Sequence, residues 1–205
     1  VVSSFGAESA VLLHLIASID PAVPVLFLDT GKHFLETITY REDLRSKLGL
    51  LDVRILTPDP KLLQQKDETG LRWSYDPDGC CEIRKVLPLN AALAGFDAQF
   101  TGRKAFQSST RRALPRFEIE NGRLKVNPLA DWDQPKIDAY MAEHALPAHP
   151  LVELGYPSIG CSPCTTKVAP GEDPRSGRWK GWDKVECGIH NAVTPIGDGS
   201  DDPIF

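Results

Sequence analysis

Cysteine is scarce in this 205-residue chain, with five in all, methionine occurs once, and no run of about 18 apolar residues appears anywhere. The last absence excludes a transmembrane helix, and with no signal peptide at its start the chain is expected to be cytoplasmic. A small, odd number of cysteines excludes the disulfide framework of a compact secreted domain and suits metal binding plus one reactive thiol. Positive charge is short as well: 23 Lys and Arg stand against 28 Asp and Glu, a net −5 that argues against a general nucleic-acid binder. Val1-Val2 reads as the end of a strand, so a further segment is expected upstream.

A hydrophobic content of 41% and a charged content of 25% describe an ordinary globular chain, long enough for one α/β domain with a sizeable core. The cations are gathered in short groups, Arg103-Lys104, Arg111-Arg112, then Arg175, Arg178 and Lys180. Local basic clusters on an acidic protein suggest a small anionic ligand.

Ser3-Ser4-Phe5-Gly6-Ala7-Glu8-Ser9 lies between that strand end and a buried helix, Ala10-Val11-Leu12-Leu13-His14-Leu15-Ile16. Strand, Gly/Ser loop and helix form an arrangement that can receive a phosphate on backbone N–H groups, although a capped β-α turn has the same pattern and the Gly-Lys-Ser/Thr ending of a Walker motif is missing. Glu8, near the helix start, suits a capping role. A second apolar strand, Val23-Pro24-Val25-Leu26-Phe27-Leu28, ends at Asp29-Thr30-Gly31 before a helix over residues 33–48. Ligands of open α/β sheets sit beyond the carboxyl ends of strands, which places residues 29–31 beside the first loop.

Residues 53–57 predict a third strand and residues 59–65 the start of another helix; Asp76-Pro77-Asp78-Gly79 is read as a turn, with a helix from Cys80 through Ala94. Residues 97–101 read as a fourth strand, delivering Gly102-Arg103-Lys104-Ala105-Phe106-Gln107-Ser108-Ser109-Thr110-Arg111, a loop rich in donors for phosphate or sulfate oxygens. Asn121-Gly122 between two short apolar runs is a hairpin signal, and residues 134–144 predict an amphipathic helix. A Gly/Pro-rich stretch, 155–182, is expected to be irregular, and the polar end of the chain to be mobile. Strands interleaved with helices point to a doubly wound sheet.

Four of the cysteines form two tight pairs, Cys80-Cys81 and Cys161-Ser162-Pro163-Cys164. Four thiolates fit tetrahedral zinc or an iron-sulfur cluster, and the adjacent pair favours the cluster, because zinc sites prefer two to four residues between cysteines on both sides. Four reduced buried thiols, or a redox-active Cys-x-x-Cys, are the other readings. Cys187 stands apart, between Glu186 and Gly188 with His190 nearby, as one surface thiol. Attack by such a thiol requires the thiolate, and therefore cations close by, from His190 or the basic loops.

Taken together, the residues 3–9 loop, Leu28-Asp29-Thr30-Gly31, Cys80-Cys81-Glu82-Ile83-Arg84-Lys85, residues 101–111, Cys161-Ser162-Pro163-Cys164 and Glu186-Cys187-Gly188-Ile189-His190 resemble the assimilatory adenylylsulfate (APS) reductases, relatives of phosphoadenylylsulfate (PAPS) reductase. The resemblance implies an α/β, doubly wound, mostly parallel sheet of the adenine nucleotide alpha hydrolase-like (pyrophosphate-loop) kind with an irregular C-terminal region. It divides the chain into a nucleotide-binding reductase domain, 1–183, and a mobile tail, 184–205. A 4Fe-4S cluster on Cys80, Cys81, Cys161 and Cys164 is implied, with Lys85 between cluster and substrate.

Carried onto this sequence, the substrate-binding residues are Ser3, Ser4, Phe5, Gly6, Ser9, Leu28, Asp29, Thr30, Gly31, Arg103, Lys104, Arg111, Arg175 and Arg178, and the catalytic residues are Cys187, Lys85 and His190. The implied reaction is thioredoxin- or glutaredoxin-dependent reduction of adenosine 5'-phosphosulfate through an S-sulfocysteine, by a chain compatible with a homo-oligomer. Reduction of PAPS, or of both nucleotides, is the alternative within the class. A tRNA-thiolating enzyme of the same fold should carry a Ser-Gly-Gly-x-Asp-Ser loop and a basic surface, which Ser4-Phe5-Gly6-Ala7-Glu8-Ser9 and the net charge do not match. A zinc-stabilised nucleotide-binding module is the non-catalytic alternative.

Overall fold

The computed structural model describes residues 1–107, 111 and 113–190. In chain order its elements are α1 (Ser9–Ala17), β1 (Val25–Leu28), α2 (Leu35–Leu48), β2 (Val53–Leu56), α3 (Pro60–Lys66), α4 (Pro77–Cys81), a π-helical turn (Glu82–Val86), α5 (Leu87–Leu93), β3 (Ala98–Phe100), β4 (Phe117–Glu120), β5 (Arg123–Val126), α6 (Gln134–Glu143) and α7 (Pro150–Glu153).

β1 pairs in parallel with β2, β3 in parallel with β5, and β4 antiparallel with β5. Val2 closes the gap between the two groups, bridging in parallel to Leu26 on one side and Thr101 on the other. The order across the sheet is therefore β2-β1-Val2-β3-β5-β4, parallel except for β4. The expected strand end at Val1-Val2 thus sits in the middle of the sheet.

All four residues of β1 are buried, as the apolar run requires of a strand covered on both faces. Their alternation divides two cores. Val25 and Phe27 join Leu12, Leu13, Ile16, Tyr40, Leu44 and Ile137 from α1, α2 and α6. Leu26 and Leu28 join Leu89 and Leu93 of α5, with Ile189 of the tail packed on the same cluster. Helices on both faces make the sheet doubly wound, as expected.

At the hairpin, Asn121 (φ 52°) and Gly122 (φ 74°) join β4 to β5, matching the two-residue turn that Asn-Gly favours. Asp76-Pro77-Asp78-Gly79 departs from its expected turn: it is the cap and first turn of α4, with the Asp76 carboxylate accepting from Gly79 N–H at 2.8 Å and Pro77 in the first turn. Proline there gives up an N–H that has no helical partner anyway. The helix expected from Cys80 to Ala94 is interrupted by the π turn, because Pro88 cannot donate to the Arg84 carbonyl one turn back and its ring crowds that carbonyl. Ser108, Ser109, Thr110 and Arg112 of the donor-rich region lie outside the described residues, as does the end after His190 that was expected to be mobile.

Candidate active site

The loop before α1 opens a cavity of about 1220 Å³ at the carboxyl ends of the strands. Ser3, Ser4, Gly6, Ser9 and Leu28 line it, as do Arg103, Lys104, Arg111, Arg175, Arg178, Lys85, Cys187 and His190. Four expected residues are not brought into it. Phe5 is fully buried, edge-on to Phe27 at 5.5 Å, so it anchors the loop from the core side. Its φ of 49° lets the loop reverse, helped by the Ser3 hydroxyl, which accepts from Phe5 N–H at 3.2 Å. Asp29 folds back to accept from Gly31 N–H at 2.9 Å, a local turn that keeps both out of the cavity lining.

Thr30 faces a second, smaller cavity instead, together with Cys80, Cys81, Cys161, Cys164, Arg84 and Lys85. Its hydroxyl lies 3.3 Å from Cys161 Sγ, and its carbonyl accepts from Arg84 at 2.7 Å. Arg84 is buried and held by the Asp67 carboxylate at 2.6 Å. The four thiols thus converge on one pocket from two distant stretches: α4 presents the adjacent pair, and an irregular segment tied to His33 by a Cys161 bridge and to Lys32 by a 2.7 Å backbone bond presents the other. Burial pushes the thiols of Cys80 and Cys81 up to about 11. Burial also pushes Cys161 up, but Lys85, the Thr30 hydroxyl and Arg178 together bring it below the ordinary thiol range.

Lys85 lines both cavities. The π turn of residues 82–86 presents Arg84 and Lys85, consecutive in sequence, to the same region. Burial disfavours the Lys85 charge, yet the thiols of Cys161, Cys187 and Cys81 outweigh it and hold its pKa above the usual lysine value.

Carboxylates already engage most cations of the main cavity. Glu8 makes no capping bond at α1; its carboxylate reaches Lys104 at 2.7 Å and Gln107 at 3.0 Å. Arg103 pairs with Glu118 of β4. Arg111 grips both oxygens of Glu186 at 2.7 Å, while Arg175 donates to the Val185 carbonyl at 2.7 Å and stands 3.7 Å from Glu186. These contacts seat residues 185–187, so Cys187 is half-buried at the cavity wall. His190 is held well below its ordinary pKa by burial and by Arg103, Lys125 and Arg111, so it is neutral near pH 7 and supplies no cation to Cys187. Sequence reasoning missed Glu8 and Glu186 as ion-pair partners, as well as Asp67, His33 and Trp179. Glu186 had a signal in its adjacency to Cys187, whereas Asp67 had none.

The family described as "Phosphoadenosine phosphosulfate reductase domain" matches residues 1–167. The adenosine 5'-phosphosulfate reductase of Mesorhizobium japonicum is 55% identical over 189 residues, covering 92% of this chain and 74% of that protein. Its namesake from Chelativorans sp. is 52% identical, covering 92% and 77%, and that from Mycobacterium tuberculosis 45% identical, covering 93% and 75%. Among solved structures, the PAPS reductase of Candida auris in a phosphate complex superposes with a TM-score of 0.67 at 30% identity, covering 82% of this chain and 81% of that one. An FMN adenylyltransferase of Candida glabrata, at 16% identity and a TM-score of 0.59 over 90% of this chain and 67% of that one, shares the fold. Pyrophosphate-loop fold, paired cysteines and basic cavity therefore have one explanation: this chain belongs to the phosphoadenosine phosphosulfate reductase family.

Proposed function

We propose that the chain reduces adenosine 5'-phosphosulfate to sulfite and AMP in sulfate assimilation, with Cys187 as nucleophile and a thioredoxin or glutaredoxin-like dithiol as reductant. The observation that carries this reading is the position of Lys85, on the wall shared by a four-cysteine pocket and by the cavity that holds Cys187. The relatives named above at 45–55% identity are adenosine 5'-phosphosulfate reductases, which favours that nucleotide over the 3'-phosphorylated one.

The loop of Ser4, Gly6 and Ser9 at the start of α1 receives the nucleotide phosphate, and Leu28 flanks the nucleoside. Arg103, Lys104, Arg111, Arg175 and Arg178 supply the charge that the phosphosulfate requires. Cys187 thiolate attacks the sulfate sulfur; the S–S bond forms as the S–O bond breaks, and its electron pair leaves with AMP. Negative charge spreads over the leaving oxygens in that transition state, and Lys85 and the arginines stabilise it there. One thiolate of the dithiol then attacks Cys187 Sγ and expels sulfite with the S–S electron pair. The second thiol resolves the mixed disulfide, returning Cys187 and leaving the dithiol oxidised by two electrons. For that release the tail must expose Cys187, so residues 184–190 work both docked and undocked.

Cys80, Cys81, Cys161 and Cys164 fit a 4Fe-4S cluster. The donors are all soft sulfur, with Arg84 and Lys85 as neighbouring cations to offset thiolate charge. A polynuclear cluster takes each thiolate on a separate iron. Bound there, a cluster would order and polarise the site, and the chemistry above asks no electron of it. Anaerobic purification, iron and sulfide analysis, and mass spectrometry after mixing with the nucleotide without reductant test the reading. A thiol-labile SO3 adduct on Cys187 is expected, and a protein that stays unmodified while binding the nucleotide sinks the proposal.

A further inference from the structure

Four residues that line the main cavity, His33, Arg178, Trp179 and His190, each carry a buried side-chain nitrogen with no hydrogen-bond partner among the described residues. Two of them are obligate donors on consecutive residues: Arg178 Nε and Trp179 Nε1. A buried donor is almost always satisfied in a folded protein, so an adjacent pair of orphans on a cavity wall points to an acceptor that arrives with a ligand.

The pair is a built feature. The Arg178 guanidinium stacks on the Trp179 ring with its carbon 4.5 Å from the centroid. Gly160 also abuts this guanidinium: an added Cβ there would come within 2.2 Å of it and force Arg178 to shift. Trp179 is 3% exposed and adopts φ 49°, a left-handed conformation that a bulky residue rarely takes. Its backbone N–H binds the Cys164 carbonyl at 3.1 Å, and Arg178 bridges to Thr165, so the stack is fastened to the second cysteine pair. Strain of this kind persists where the surroundings over-determine it, and it collects at binding sites.

We infer that Trp179 is a further substrate-binding residue, whose indole N–H, paired with Arg178, donates to a sulfuryl oxygen of the nucleotide. The placement selects the sulfuryl end. Trp179 is tied to Cys164 and has Lys184 Nζ 5.6 Å from its ring, so it stands on the cysteine and tail side of the cavity. A neutral donor suits an oxygen whose charge the arginines already balance, because it orients without adding charge. This rests on the function proposed above.

The test is Trp179→Phe, which keeps an aromatic ring on Arg178 and removes the N–H together with part of the ring volume, so inhibition by AMP serves as the control for a merely structural effect. With the iron site loaded, kcat/KM for adenosine 5'-phosphosulfate should fall about tenfold, the loss of one hydrogen bond to a charged group, while inhibition by AMP, which lacks the sulfuryl group, stays unchanged. In a Cys187→Ser protein labelled with 15N at tryptophan, the Trp179 indole N–H signal, identified by its loss in Trp179→Phe, should move on adding the sulfated nucleotide and stay in place with AMP. If the wild type turns over and Trp179→Phe keeps kcat/KM within about twofold, the inference is overturned and the proposed function stands. Equal signal shifts with both nucleotides would overturn it too. A wild type that forms no sulfite would take both down.

Discussion

Arg111 holds Glu186 through two parallel 2.7 Å hydrogen bonds, and Glu186 is the residue before Cys187. Cys187, the nucleophile proposed above, is thus seated by an ion pair whose cation also lines the main cavity. Arg175 stands behind the same carboxylate at 3.7 Å, so two guanidinium groups face Glu186.

Removing that charge should loosen the seat. Glu186→Gln is expected to lower kcat/KM about tenfold, in keeping with a partly screened ion pair, and to speed alkylation of Cys187 in the absence of nucleotide. Alkylation at the wild-type rate would show that the ion pair does not hold the tail.

Lys85→Ala removes the one cation that, among the described residues, lines both cavities. Sulfite formation should slow about a hundredfold with iron content unchanged, the scale found when a single group that stabilises transition-state charge is deleted. Loss of iron with activity per iron preserved would make Lys85 a support of the cysteine pocket alone.

Asp67→Ala leaves the buried Arg84 charge without its carboxylate and should destabilise the fold by about 3–5 kcal/mol in urea unfolding. An equal loss from Asp67→Asn would show that the charge, more than the hydrogen bonds, matters.

His149 connects stability to pH. Its Nδ1 accepts from Leu151 N–H at 3.1 Å, so Nε2 carries the proton toward the Thr37 hydroxyl at 3.1 Å, and burial lowers the pKa from 6.5 to about 4. Between those values the unfolded chain binds the proton and the folded chain does not. The contribution is therefore complete above pH 6.5 and is lost as pH falls toward about 4, by about 2 kcal/mol from about pH 7 to about pH 5. Urea unfolding of His149→Gln should show a correspondingly shallower pH slope, and an unchanged slope would contradict the assignment.

The sheet was legible wherever a local pattern decides the outcome. The apolar run of β1, the Asn121-Gly122 turn and the cysteine spacing each depend on residues close together in sequence. What stayed hidden was pairing across distance. Glu186 meets Arg111 across 75 residues and Lys104 meets Glu8 across 96, and no periodicity encodes either contact. Arg103, Lys104 and Arg111, free cations in the sequence, proved to be paired ones. Asp76-Pro77 was readable in principle, since Asp before Pro is a helix-start signature as well as a turn signature, and only the packing of α4 separates the two.

The π turn between Cys81 and Pro88 makes the length of that stretch matter as much as its chemistry. A π turn takes up one residue more than an α-helical turn, so deleting Ile83 or Val86 would let a regular helix run through and would rearrange the turn's own residues, Arg84 and Lys85 among them, although no charge had been changed. Communication between the cysteine pocket and the nucleotide cavity is in this sense a matter of register, written in the residue count between a thiol and a proline.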